Sequence, residues 1–172
     1  TINSIIFEKT VALVKDSNIF VNKQENKQIV LKIKKALENN KSNKYFFGED
    51  FHYLKAENNF IQYEDHKGAM LLPPPNILGN HQLCNVSTAI AVARTIFNVQ
   101  DQHIKKGIIS IKLKGRLEKI KFKNLSIKNE IYVDIAHNGN AARAIRNWIE
   151  SSNFDFHLVI SMMKDKDHSD FG

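Results

Sequence analysis

A single cysteine, Cys84, stands in 172 residues, which excludes an internal disulfide and with it the stapled framework of a small secreted scaffold. No apolar run approaches the roughly 20 residues that a membrane-spanning helix needs. Residues 1–7 lack the basic start and long apolar core of a signal peptide. Together these absences predict a soluble chain of the reducing cytoplasm with no membrane partner. Arginine is scarce as well: of the 25 basic residues, only Arg94, Arg116, Arg143 and Arg146 are arginines. The net charge of +7 would suit nucleic acid, because cations that neutralise phosphates supply most non-specific affinity. Yet no cluster of arginine and aromatic residues marks a base-stacking face, and the lysines, scattered beside Asn and Ile, read as solvated surface. Nucleic acid is therefore not the expected partner, and a non-catalytic nucleotide- or nucleic-acid-binding module stays as the alternative class. Finally, no G-x-x-x-x-G-K-[ST] run occurs, so no phosphate-cradling loop of that type lies in these residues.

What is present is globular in composition, with 42% apolar and 25% charged residues. The length suits one ordinary domain or parts of two. A start at Thr1 rather than Met, and a stop at Gly172 after a strand-loop pattern that would normally continue, give the expectation that both ends are cut. Ile2, Ile5 and Ile6 fit the last turns of a helix ending near Glu8-Lys9, and Ile29, Val30, Ile33 and Leu37 place one apolar stripe on a helix over 25–38. Short strands are predicted at 19–21, 45–47, 60–63 and 69–72, the last two divided by a turn at 64–68. Val86, Ile90, Ala93 and Phe97 give a wide apolar face to an Ala-rich core helix over 83–97. The mixed, charged stretch 98–114 suggests no element, and a domain boundary is placed near Gly115. Strands at 118–122 and 130–135, a helix at 140–152 and a strand at 156–162 then suggest a βαβ unit with a parallel pair.

In such sheets ligands gather at the carboxyl ends of the strands. That edge would carry Ala136-His137-Asn138 and Lys164-Asp165-Lys166-Asp167. The run from Tyr132 to Arg143 is the most informative: a carboxylate, Asp134, at a strand end is followed by His137 and Asn138 as a helix begins. It offers a ribose acceptor, a titratable ring and backbone N–H groups to one cleft. Equally, Asp134 or Asn138 could serve only to cap the helix. Lys9, read by itself, is an ordinary surface lysine at a helix end.

These residues fall into a larger pattern. Asp134 to Arg143 resembles the D-x-A-H-N-P-x-A-A signature of the folylpolyglutamate synthase/dihydrofolate synthase branch of the Mur ligase superfamily, and four further segments match in order. Phe7-Glu8-Lys9 with Lys15 resembles E-K-A-G-I-I-K, and Leu78 to Asn85 resembles L-G-x-H-Q-x-x-N. Gly115 to Ile120 is similar to P-G-R-x-E-x-I, and Met163 to Asp167 to the A-D-K-D loop. Departures are Lys114 and Gly139 where the family carries Pro, and a stretch from Lys9 to Lys15 that is one residue longer and lacks its Gly.

The resemblance implies an α/β chain that holds the end of the Mur ligase central domain and the start of the Rossmann-like C-terminal domain. It would divide into 1–107, a hinge at 108–117, and 118–172. It implies ATP and Mg²⁺ as cofactors, with L-glutamate and dihydropteroate or a folate as the other partners. By that resemblance Arg116 holds phosphate as a fixed fork, Asp134 the ribose, and Asn85 approaches the adenine beside His81 and Gln82. His137 would lie near the phosphates or the incoming amino acid, and Lys9 would be the carbamylated lysine that ligates Mg²⁺. The phosphate loop itself would have to come from a separate N-terminal half, or the chain would be a truncated or decayed copy without activity of its own.

Overall fold

The computed structural model describes residues 1–121 and 130–163. These form two compact units: Thr1–Leu72 with Ser87–Asp101, and Pro73–Val86 with the chain from Gln102 onward. Phe122 and the Lys164-Asp165-Lys166-Asp167 loop lie outside the described residues.

The first unit begins with helix α1 (Ile2–Val11), capped by the Thr1 side chain. Strand β1 (Asn18–Val21), helix α2 (Lys27–Ala36) and strand β2 (Asn43–Phe46) follow, the two strands paired in parallel with Ile19 opposite Lys44. The connection through α2 is what a parallel pair requires. Ile19, Val21, Leu37 and Phe46 close a core, onto which Leu13, Val30 and Ile33 pack. The α2 stripe anticipated from spacing therefore faces inward, and Asn26 caps the helix by accepting from the Ile29 N–H at 3.0 Å.

Strands β3 (Phe51–Lys55), β4 (Ile61–Asp65) and β5 (Gly68–Leu72) make an antiparallel meander in which Phe51, Ile61, Tyr63, Met70 and Leu72 are buried. Strand β3 was not anticipated, since His52 and Lys55 interrupt its apolar character. The C-terminal part of α3 (Asn80–Phe97) brings a buried charge to this meander. Arg94 Nε lies 3.3 Å from Asp65 Oδ2, with both side chains buried, and the Tyr63 hydroxyl donates to the same oxygen at 3.0 Å. Burial, and the carboxylate beside it, push the Tyr63 pKa upward, so the phenol stays protonated and donating.

In the second unit, α4 (Asp101–Ser110) occupies part of the stretch 98–114 from which no element was expected. Its charge masked the signal, but Ile104 and Ile108, one helical turn apart, are both buried. Strands β6 (Glu118–Ile120) and β7 (Ile131–Val133) pair with each other, and α5 (Gly139–Glu150) follows. Here the structure corrects two expectations. The parallel pair expected of 130–135 with 156–162 is not formed among the described residues: β7 pairs with β6 instead, antiparallel, with Glu118 opposite Val133, and Val133 is exposed, so β7 is not a buried strand. Residues 156–162 form no strand. A strand exists only with a partner edge to complete its hydrogen bonds, and this segment finds none among the described residues: Val159 is 91% exposed and Leu158 58%. Its anchor is aromatic instead, Phe156 packing edge-on against Trp148 at 5.1 Å, and Trp148 against Tyr132 at 4.9 Å.

Candidate functional site

Residues 115–118 form a strap that local chemistry ties to the exit of β7. Gly115 and Leu117 both have left-handed backbone, φ +63° and +48°. At Gly115 a side chain is excluded twice, by that conformation and because a Cβ would lie 2.7 Å from Ile135 Cγ2. The Gly115 N–H donates to Glu118 Oε2 at 2.8 Å and its carbonyl accepts from the Ile135 N–H at 2.9 Å. The Leu117 N–H donates to Asp134 Oδ2 at 2.9 Å. Leu117 is buried and unusual for αL, so the Asp134 carboxylate holds a strained turn in place. Arg116, half-buried between these two anchored residues, is thereby presented at the same end of the β6–β7 ribbon as Asp134.

Beyond Asp134 the chain turns into α5. Asn138, in extended backbone, caps the helix by accepting from the Ala141 N–H at 3.0 Å. The capping duty that sequence left open between Asp134 and Asn138 thus belongs to Asn138, and Asp134 serves the strap. His137 is exposed, with Nδ1 3.2 Å from the Ile135 carbonyl. A carbonyl can only accept, so in the neutral ring this contact places the proton on Nδ1 and leaves Nε2 as the acceptor atom.

The first turn of α3 belongs to this unit too. Gly79 has φ +94°, and a Cβ there would meet the His81 ring at 2.7 Å, so glycine lets the imidazole lie flat against the backbone. His81 Nε2 is 3.0 Å from Gln82 Nε2, and Gln82 Oε1 accepts from Asn85 Nδ2 at 3.0 Å. Burial lowers the His81 pKa. The Asp134 carboxylate opposes that shift, whereas the Arg116 guanidinium adds to it. His81, Arg116 and Asp134 are therefore close enough to feel one another's charge. Gln82, buried in this network, is the feature that sequence reasoning undervalued, along with Glu118, whose carboxylate closes the strap.

Asn85, Arg116, Asp134 and His137 thus lie in one unit. Lys9 belongs to the other, at the end of α1, exposed and paired with Glu8 at 3.0 Å. Two cavities of about 250 and 450 Å³, lined by residues such as Asn22 and Phe47 or Phe7 and Lys35, also lie in that first unit, and none of these site residues lines them. Among the described residues no group of three or more His, Cys, Asp or Glu side chains is placed to hold a metal ion. An ammonium cannot ligate a cation, so Lys9 as it stands does not fit Mg²⁺. Among the described residues no helix is long and apolar enough to cross a membrane.

A guanidinium, a carboxylate, an imidazole and a carboxamide in one unit suit an anionic, hydroxyl-bearing, heterocyclic ligand. No family model matches the chain. The probable bifunctional folylpolyglutamate synthase/dihydropteroate synthase of Halobacterium salinarum is 33% identical over 93 residues, 54% of this chain and 11% of that protein. Among solved structures, the folylpolyglutamate synthase of Mycobacterium tuberculosis complexed with ADP and AMPPCP superposes with a TM-score of 0.82 at 19% identity, covering 98% of this chain and 40% of that one. E. coli FolC in complex with DHPP and ADP gives a TM-score of 0.80 at 22% identity, over 98% of this chain and 39% of that one. The Thermotoga maritima folylpolyglutamate synthase gives 0.77 at 20% identity, over 99% and 41%. The chain thus spans well under half the length of the proteins it matches. Over 98% of its length the chain has the α/β fold of these folylpolyglutamate synthase structures, and over 93 residues its sequence is similar to the Halobacterium protein.

Proposed function

We propose that this chain supplies a nucleotide-holding part of an ATP-dependent ligase of folate metabolism, one that joins L-glutamate to dihydropteroate or to a folylpolyglutamate through an acyl phosphate. Carrying this reading is the bond from the Leu117 N–H to Asp134, which makes one rigid piece of the two residues assigned to the nucleotide. Arg116 would meet phosphate with its planar fork, Asp134 would accept from a ribose hydroxyl with the oxygen not engaged by Leu117, and Asn85 would face the adenine. His137, with Nε2 as an acceptor, would receive a proton from the attacking amine or, once charged, face the phosphates. Solved relatives in complex with ADP, AMPPCP, folate or DHPP support the ligand classes.

The division into 1–107, a hinge at 108–117, and 118–172 is part of the same proposal. Mg²⁺ belongs to it only with Lys9 carbamylated and with further ligands besides those the described residues bring together. When bound, such an ion would neutralise charge on the transferring phosphoryl group. The test combines the chain with a phosphate-loop-bearing N-terminal part of a folylpolyglutamate synthase, ATP, Mg²⁺, a folate and labelled glutamate. ATP-dependent incorporation that is lost on Arg116→Ala supports the proposal. Incorporation unaffected by Arg116→Ala, or none in any combination, refutes it.

A further inference from the structure

Helix α1 carries apolar residues all round. At about 100° per residue, Ile2, Ile5 and Ile6 stand on one half of its circumference and Phe7 and Val11 on the other. A helix that is apolar on every side belongs inside a larger body. In this chain only Ile6 of α1 is buried: Phe7 is 69% exposed and Val11 66%, and Ile2, Ile5 and Val14 are exposed too.

The sheet that follows α1 is unfinished. β1 and β2 form a two-stranded parallel pair, and β1 has no second partner strand among the described residues. The Ser17 carbonyl accepts from the Asn43 N–H and the Val21 carbonyl from the Phe47 N–H, so by the alternation of a strand residues 17, 19 and 21 bond to β2. The backbone N–H and C=O groups of Asn18 and Phe20 therefore face the open edge. Parallel strands ordinarily lie in sheets covered on both faces, and an open edge is a template for another strand. Helix α2, which packs on both strands, locates α1 relative to this edge. Lys34 of α2 leans over the Phe46 ring of β2 and pairs with Glu49 at 2.6 Å. Lys32, about 200° away around the same helix, instead meets Asn3 of α1 at 3.0 Å. α1 thus stands on the β1 side of α2, beside the edge that lacks a strand.

We propose that α1 and the open edge of β1 form one docking surface for a parallel α/β polypeptide, which adds a strand beside β1 and closes over Phe7 and Val11. Its occupant is the phosphate-loop-bearing part of the ligase. A phosphate loop joins a strand to a helix, so a body that carries one has the architecture this surface calls for. The chain, moreover, covers only 40% of the Mycobacterium tuberculosis structure whose fold it shares. The inference rests on the proposed function, and adds the surface through which the phosphate site is brought in.

The test titrates the full chain with a phosphate-loop-bearing N-terminal part of a folylpolyglutamate synthase, by calorimetry and without ATP or folate, so that docking is read apart from catalysis. Phe7→Glu puts a charge on the apolar face. Asn18→Pro removes an edge N–H that β2 does not use, a change an edge strand tolerates. Each is expected to weaken binding about tenfold or more, as loss of an anchor at an interface does, with the thermal midpoint of the chain alone unchanged. Should Asn18→Pro fail to fold, Phe7→Glu decides by itself. Binding that Phe7→Glu does not weaken overturns the docking surface, and so does a wild-type chain that fails to bind. A chain that instead sediments as a dimer dissolved by Phe7→Glu overturns the choice of occupant in favour of a second copy. Incorporation of labelled glutamate judges the nucleotide reading separately. Docking that Phe7→Glu weakens, with incorporation indifferent to Arg116→Ala, leaves the surface standing and removes that reading; the opposite pair of results does the reverse.

Discussion

Asp134 accepts from the Leu117 N–H and, in the proposed function, would also hold the ribose; substitutions should separate the two roles. Asp134→Ala removes the acceptor of a buried, left-handed turn, and the stranded Leu117 N–H should cost about 1–3 kcal/mol. Asp134→Asn retains an acceptor oxygen and should recover most of that loss, while a ribose hydroxyl would still lose a charged acceptor. Urea denaturation of the two variants checks the first statement. His81 gives a pH signature. Burial holds its pKa below the ordinary 6.5, so the folded chain takes up this proton less readily than the unfolded one. Its contribution to stability is therefore intact above that ordinary value and lost as the pH falls below it toward the lowered folded value. Denaturation midpoints compared at about pH 7.5 and about pH 5.5 should drop less in His81→Gln than in the wild type, because only the histidine changes its charge between them.

At the scale of elements, the strap and the α5 entry depend on single residues with narrow conformational requirements. Gly115→Ala forces a Cβ against Ile135 at 2.7 Å in a backbone that L-residues avoid. It should destabilise the second unit by about 1–3 kcal/mol, with loss of the Ile135 N–H protection in hydrogen exchange. Asn138→Ala should cost about 1 kcal/mol through the lost cap. In the first unit, Arg94→Ala would leave the Asp65 carboxylate buried and uncompensated, a loss of about 3–5 kcal/mol. Asp65 and Arg94 replaced together should cost less than the sum, and a double-mutant cycle on thermal unfolding measures the difference.

At the scale of the whole molecule, the chain by itself should show no detectable turnover with ATP, glutamate and a folate. Phosphoryl transfer needs donors and a cation arrayed around the γ-phosphate. This sequence has no G-x-x-x-x-G-K-[ST] loop, and its described residues assemble no acidic metal cluster. Arg116 and Asp134, in the roles proposed for them, would hold a nucleotide without surrounding the transferring group. Labelled glutamate entering folate with the purified chain alone would contradict this. Activity that appears only when a phosphate-loop-bearing part is supplied, and vanishes again in Asp134→Ala, would identify a split enzyme.

Spacing and local chemistry were enough to read α1, β1, α2, the β4–β5 hairpin, α3 and α5, because each carries its own apolar period or cap. The ordered motifs around Lys9, Asn85, Arg116 and Asp134 likewise lay open in the residues, since a motif is a local statement. What needed tertiary structure was everything that depends on a partner distant in sequence. Strand β3 exists because β4 pairs with it, despite its charged residues, and α4 because Ile104 and Ile108 find a place to be buried. The apolar run 156–162, by contrast, forms no strand, for it lacks an edge to join. Likewise only the fold shows that Asp134 anchors Leu117 and that the Ile135 N–H closes onto the Gly115 carbonyl. A hydrogen bond needs both of its atoms, and sequence places them together only when they are neighbours along the chain.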